Sequence, residues 1–299
     1  MAKPFFSIII PTYNRAQLVG KTIESVLRQE FDEYEILIID DGSNDETEDV
    51  ISKISDRRIK YFRKENGERG AARNYGFAKS KGLYINFFDS DDLMYPNHLK
   101  AARELVALKG NPEWFHLGYD FRLSDGTLVN KVDDFNDSIR EVVLFDNKLS
   151  CNGVFVQSSV AKTFPFVEDR ILASCEDWEL WIRLNCRFQL HYSNEITSTV
   201  VNHDQRSIRT IPSDKVVSRD LLFIEKLKED PLVMKSYGRS FNRFVAQRFT
   251  FFMLSLAAHG KTAEVWKWAM RAFKVHPLIL ADSRFLASIK NTIRKWPKY

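Results

Sequence analysis

Three carboxylates, Asp89, Asp91 and Asp92, fall within four positions directly after the apolar run Tyr84-Ile85-Asn86-Phe87-Phe88. A hydrophobic run that ends in polar residues reads as a buried strand, so these acids stand where a strand meets the rim of its sheet. Like charges this close repel unless something positive lies between them. A divalent cation holding a diphosphate is one such group, because hard cations take oxygen ligands and bridge to phosphate. A solvated acidic turn capping the next helix is the other reading of the same residues.

The elements that would position such a rim follow in order. Phe6 to Ile10 reads as a central strand ended by Pro11, and apolar residues at helical spacing predict a helix over 16–29. Tyr34 to Ile39 is a second strand, ending in Asp40-Asp41-Gly42-Ser43; Ser43 or Asn44 is placed to cap the helix after it. Ile59 to Phe62 is a third strand, Gly70 to Lys79 a helix, and Leu83 to Phe88 the fourth strand. This alternation predicts an α/β fold with a doubly wound, mostly parallel sheet, whose ligands bind at the strands' carboxyl ends. A helix over 97–109 and a strand over 114–119 follow, then a hairpin about Asp125-Gly126. Residues up to Ser150 read as irregular. Val154 to Val156, Phe188 to Tyr192 and Thr197 to Val201 read as short strands, and Glu176 to Cys186 as a helix with Leu180, Trp181 and Leu184 on one side. From Ser213 the pattern is helical, over 221–227, 241–258, 262–275 and 284–296.

The loop after the first strand, Pro11-Thr12-Tyr13-Asn14-Arg15, carries no glycine, which excludes the dinucleotide fingerprint, and no Walker phosphate loop occurs. The strand ends instead present Pro11-Thr12-Tyr13-Asn14, then Asp40-Asp41-Gly42-Ser43, then Asp89-Ser90-Asp91-Asp92, with Arg69-Gly70-Ala71-Ala72-Arg73 between them. In this order, and with Glu176-Asp177-Trp178 further on, the chain resembles glycosyltransferase family 2, which has the GT-A fold. Four motifs cover roughly the first third and the fifth lies near residue 177. The resemblance implies an inverting, metal-dependent hexosyltransferase that uses a nucleotide sugar, most simply a UDP-sugar, for cell-surface polysaccharide or glycoconjugate synthesis. Its acceptor would be a glycan or a lipid-linked glycan.

On that reading Pro11, Thr12, Tyr13, Asn14 and Ser90 line the donor site. Tyr13 offers an aromatic platform for the base, or packs in its turn; Asp41 accepts from a uracil imide, or serves the turn that Asp-Gly invites. Arg69 and Arg73 bind base, ribose or phosphate, or form an ordinary helix face. Arg73 is favoured for binding, because Gly70-Ala71-Ala72 lets the helix start approach a ligand. Asp91 is the first metal ligand and Asp89 serves the ribose or a metal-bound water, with Asp92 behind them. His203 is a candidate third ligand for Mn2+ or Mg2+, imidazole suiting manganese better; a structural histidine is the plainer alternative. Arg206 and Arg209 would close over the phosphates. Asp177, with Glu176 as the alternative, would be the base that takes the acceptor's proton, although acids at a helix start also answer the dipole. Trp178 is a sugar-stacking surface or core, and Trp181 core.

Two other functions fit less well. A sugar-phosphate nucleotidylyltransferase would need a glycine-rich segment after the first strand, and a non-catalytic nucleotide-sugar-binding module would not need both Asp91 and Asp177. The Gln-x-x-Arg-Trp motif and membrane helices of the family's processive members are missing, which points to transfer of one or a few sugars.

Hydrophobic content of 44% and charge of 28% over 299 residues suit a folded globular chain. The expected division is a catalytic domain over 1–212, with a nucleotide-sugar half over 1–110 and an acceptor half over 111–212, followed by a helical region over 213–299. That last region holds 17 Lys and Arg against 7 Asp and Glu, while the remaining 27 basic and 33 acidic residues precede it. A basic helical region rich in Phe and Trp suits an anionic membrane surface or a homodimer contact, and its plainer reading is a solvated face. No nucleic-acid partner is expected. Cys151, Cys175 and Cys186 have no metal-ligand spacing and cannot all pair, and neither a signal core nor a membrane span is visible. The expected location is therefore cytoplasmic, at most peripheral to the membrane's inner face.

Overall fold

A computed structural model describes residues 3–136, 138–203 and 213–294, which form two compact units, Met1–Arg206 and Ser207–Tyr299. The first opens with β1 (Phe6–Thr12), α1 (Val19–Leu27), β2 (Tyr34–Asp40), α2 (Thr47–Ser52), β3 (Ile59–Arg63), α3 (Glu68–Lys79) and β4 (Tyr84–Phe87). It continues with β5 (Leu93–Met94), α4 (His98–Lys109), β6 (Trp114–Leu123), β7 (Leu128–Val132), α5 (Ile139–Phe145), β8 (Val154–Gln157), α6 (Ser158–Thr163), α7 (Glu176–Asn185) and β9 (His191–Asn202). The sheet order is β3-β2-β1-β4-β8-β6-β9-β5, with β7 paired to β6.

The β1–β4 segment is parallel throughout. β8 enters antiparallel between β4 and β6, which returns β6 and then β9 to the direction of β1. Six strands thus run one way, and only β5, β7 and β8 oppose them. The carboxyl ends of β1, β2, β4 and β9 therefore share one rim. Beneath it Ile8, Ile10, Ile36 and Ile38 pack with Ile23, Leu99 and Phe115 in a continuous apolar core. At about 25 cal/mol per Å² of apolar surface removed from water, that burial is the main force holding the strand ends in place.

Several local expectations are corrected. The first helix begins at Val19, not near residue 16, because the amides of Arg15 and Ala16 bond to Thr47 and Asp45. Neither Ser43 nor Asn44 caps α2; Asp45 accepts from the Thr47 amide instead. The two short strands expected over 188–201 are one strand, β9. A bulge keeps it continuous where Gly118 meets Asn194 and Glu195, whose carbonyl would lie 2.8 Å from any Cβ at that position. The stretch read as irregular contains α5.

The second unit is helical: α8 (Ser213–Glu229), α9 (Pro231–Ala258), α10 (Thr262–Val275) and α11 (Ser283–Arg294). Asp230 caps α9 through the Leu232 amide with Pro231 in the first turn, and α9 breaks at Gly238, where φ is 45°. α9 packs against the other three helices, burying Phe241, Phe244 and Phe252. Among the described residues no helix is long and apolar enough to cross a membrane.

Candidate active site

The rim is assembled first by its loops. Beyond β1, Asn14 adopts a positive φ of 50°, its amide donates to Ser43 Oγ at 2.9 Å and its Oδ1 accepts from the Asn44 amide. These bonds clamp the loop after β1 to the loop after β2. Tyr13 projects from the clamp with 45% of its surface exposed, while Pro11 and Thr12 are buried in β1. Asp41 is buried, and its Oδ1 accepts from Lys64 Nζ at 2.7 Å and from the Gly67 amide at 3.0 Å. Arg69 lies half-buried in the first turn of α3.

At the end of β4 the three acids separate into three environments. Asp91 meets His203 Nε2 at 3.0 Å and Arg15 Nε at 3.7 Å. Asp92 is fully buried, accepting from Asn152 Nδ2 at 2.7 Å and from the Val201 amide at 2.8 Å. Asp89 turns to Arg73, whose second terminal nitrogen lies 3.0 Å away. Ser90 is buried between them in sequence. Asp89, Asp91 and His203 therefore do not converge as a trio; among the described residues no three His, Cys, Asp or Glu side chains gather in a metal-binding group. Asp91 and His203 do converge, and His203 Nδ1 is buried with no partner among the described residues. A carboxylate and an imidazole one hydrogen bond apart fit two ligand positions of an Mn2+-like ion, whose remaining positions diphosphate oxygens and water can fill.

Arg73 differs from its expected place. It is buried, with one terminal nitrogen 2.6 Å from Glu176 Oε1 and the other on Asp89, and its guanidinium lies over the Phe166 ring. Burial works against its charge, but Cys151, Glu176, Asp89 and Asp177 outweigh that and hold its pKa well above the ordinary value. Gly70 does not open α3 toward a ligand. A Cβ there would meet the Val167 carbonyl at 2.5 Å, so the glycine admits the chain that leads to α7. Arg73 is a bridge between the strand end and the helix that carries the second acidic pair.

That pair opens α7. Glu176 is spent on Arg73 through Oε1, whereas Asp177 is partly buried, accepts from its neighbour's amide (Trp178) at 2.7 Å, and lies 3.3 Å from Asn147 Nδ2. Cys151 Sγ lies 3.8 Å from the same carboxylate. Burial, then the charge of Glu176, pushes the Asp177 carboxyl up to about 6, against partial relief from Arg73. A carboxylate in that range is ionised at neutral pH yet basic enough to take a proton. Trp178 is core and not a sugar platform: its indole donates to the Val143 carbonyl at 2.6 Å. Trp181 is buried as expected, stacked on Trp114.

Comparison with known proteins gives the family and the fold. Residues 7–108 match the family described as Glycosyl transferase family 2. The glucosyltransferase WfgD of Escherichia coli is 30% identical over 181 residues, covering 60% of this chain and 68% of that protein. The chain belongs to glycosyltransferase family 2. WfgD carries the name UDP-Glc:alpha-D-GlcNAc-diphosphoundecaprenol beta-1,3-glucosyltransferase. An uncharacterized glycosyltransferase of Rickettsia bellii is 30% identical over 247 residues and 77% of this chain, which spans only 35% of that relative's length. In fold, the chain is similar to Staphylococcus aureus TarS 1-349 in complex with UDP-GlcNAc, with a TM-score of 0.71 at 18% identity over 97% of this chain and 89% of that one. It also resembles the mannosyltransferase PcManGT of Pyrobaculum calidifontis in complex with GDP-Man and Mn2+, with a TM-score of 0.60 at 14% identity over 100% and 89%. The family's GT-A arrangement of a mostly parallel sheet followed by helices is the one described above.

Some residues of this family member's rim carry no signal in the sequence. Asn152 accepts from the Asp89 amide at 2.9 Å and from Asn86 Nδ2 at 2.8 Å through its carbonyl, besides holding Asp92. It sits in a single 3-10 turn before β8, and only the insertion of β8 beside β4 brings it there. Lys64 and Arg15 belong to the same class. Arg206 and Arg209 lie outside the described residues.

Proposed function

We propose that this chain transfers a sugar, with inversion, from a nucleotide-sugar donor to a hydroxyl of a lipid-linked or glycan acceptor. The observation that carries the reading is the Arg73 bridge, which fixes the Asp89-Ser90-Asp91 strand end and the Glu176-Asp177 helix start on one rim. Residues 1–212 act as the catalytic domain, 1–110 holding the donor and 111–212 the acceptor. Tyr13 stacks on the base, Asp41 accepts from it through the oxygen that Lys64 and Gly67 leave free, and Arg69, Ser90 and Arg206 serve ribose and phosphates. A UDP-sugar is the simplest donor, in keeping with the names of WfgD and of the TarS complex, and WfgD's name supports a diphosphate-linked lipid acceptor.

Asp91 and His203 would hold a divalent cation, which when bound offsets the charge building on the departing diphosphate. Asp177 takes the proton from the acceptor hydroxyl as its oxygen attacks the anomeric carbon from the face opposite the diphosphate. Glu176 keeps Arg73, and through it Asp89, in place during that step. A thermal-shift screen of nucleotide sugars with Mn2+ tests the donor end, since a ligand at a hundred times its Kd stabilises the fold by about 2.7 kcal/mol. A UDP-sugar is expected to raise Tm and to release UDP when acceptor is added. A donor that raises Tm and never releases UDP favours a binding module instead.

A further inference from the structure

The helical unit shows what its sequence left open. Along α10 the buried face is Val265, Trp268, Ala269 and Ala272, which packs on α9. On the opposite side Trp266, Met270 and Phe273 are 41%, 60% and 45% exposed. At 100° per residue these three span an arc of about 60°. Lys267, Arg271 and Lys274 fill the adjoining arc, again roughly 60° wide, and all three are exposed. The helix's one acid, Glu264, borders the basic arc about 20° beyond Arg271 and is paired with Lys261 at 3.8 Å. The turn after the helix leaves Leu278 76% exposed.

An exposed apolar patch rimmed by polar groups marks an interaction surface. A helix with three faces, one packed on protein, one apolar and one basic, has the arrangement of a segment lying in a bilayer interface: large apolar side chains enter the acyl boundary while Lys and Arg reach the headgroups. We propose that α10 docks this chain on an anionic membrane surface, with Trp266, Met270 and Phe273 inserted and Lys267, Arg271 and Lys274 on lipid phosphates. The charge complementarity selects this occupant: the basic flank would face itself across a two-fold contact between copies, and like charges there oppose association.

The test is co-sedimentation of the full chain with phosphatidylcholine vesicles, with and without phosphatidylglycerol. Binding is expected only with phosphatidylglycerol, fading as salt rises, with a blue shift of tryptophan emission. Each basic residue near such a surface contributes about 1 kcal/mol, and 1.4 kcal/mol is tenfold. Lys267→Gln/Lys274→Gln should thus weaken binding about thirty-fold, and Trp266→Ser/Phe273→Ser should abolish the blue shift. Both pairs are surface positions, so circular dichroism should stay unchanged. The proposal falls if wild-type chain ignores phosphatidylglycerol vesicles at low salt, or if the lysine variant binds them as wild type does. It falls equally if the chain is a dimer that Trp266→Ser/Phe273→Ser dissociates while vesicles are ignored. Vesicle binding is read without turnover, so its failure leaves the transferase reading untouched.

Discussion

At the Asp91 end of the rim the carboxylate faces an imidazole at 3.0 Å and a guanidinium at 3.7 Å, and the loop after β1 that supplies the guanidinium also carries the exposed Tyr13. At the Asp177 end the carboxylate faces a thiol, an amide side chain and a second carboxylate, and is largely withdrawn from water. The first arrangement gathers positive and polar groups around an open surface, which suits a charged diphosphate and its cation. The second withholds compensation from a carboxylate until it becomes a usable base. Two acids of one type thus acquire opposite tasks from their surroundings, and Arg73 holds the surroundings together.

Removing the bridge should break both ends at once. Arg73→Met leaves Glu176 buried beside an uncompensated charge, and breaking a buried pair costs roughly 3–5 kcal/mol. Chemical denaturation should show a loss of that order; a loss below about 1 kcal/mol, the range of exposed pairs, would mean that water already screens the bridge. Asp91→Ala should act on one end only. Transfer is expected to fall about 10²–10³-fold, as when one group stabilising transition-state charge is lost, with Tm little changed. Full activity of the variant, or of wild type in EDTA, would remove Asp91 and the cation from the reaction.

The same contrast explains what was legible beforehand. β1 to β4 and their loops could be read because each motif sits on the end of its own strand, and parallel strands bring those ends together. Asp41, Asp91 and Tyr13 reached the rim for that reason, and Glu176-Asp177 was visible as the start of an amphipathic helix. Arg73 was misplaced because its spacing is compatible with a ligand or with a partner 103 positions away, and only the packing of Gly70 on Val167 separates the two. Asn152 was invisible because its role depends on an antiparallel strand inserted late in a parallel sheet. Exposure along α10 was equally hidden: Trp268 and Trp266 look alike in the sequence, and one is core while the other faces water.

The difference between the two ends is tested most directly by a single pH series, from 5 to 8 on the order of one unit per step, measuring both transfer and UDP-sugar affinity. The Asp177 carboxyl, raised to about 6 chiefly by burial, must be ionised to act as base. Its protonation should therefore lower kcat/KM for the acceptor about tenfold for each pH unit below that value, measured with donor and Mn2+ saturating so that the Asp91 end stays occupied throughout. Flat kcat/KM for the acceptor across the series, or a fall in transfer that saturating donor and Mn2+ abolish, would contradict the assignment of the base to Asp177.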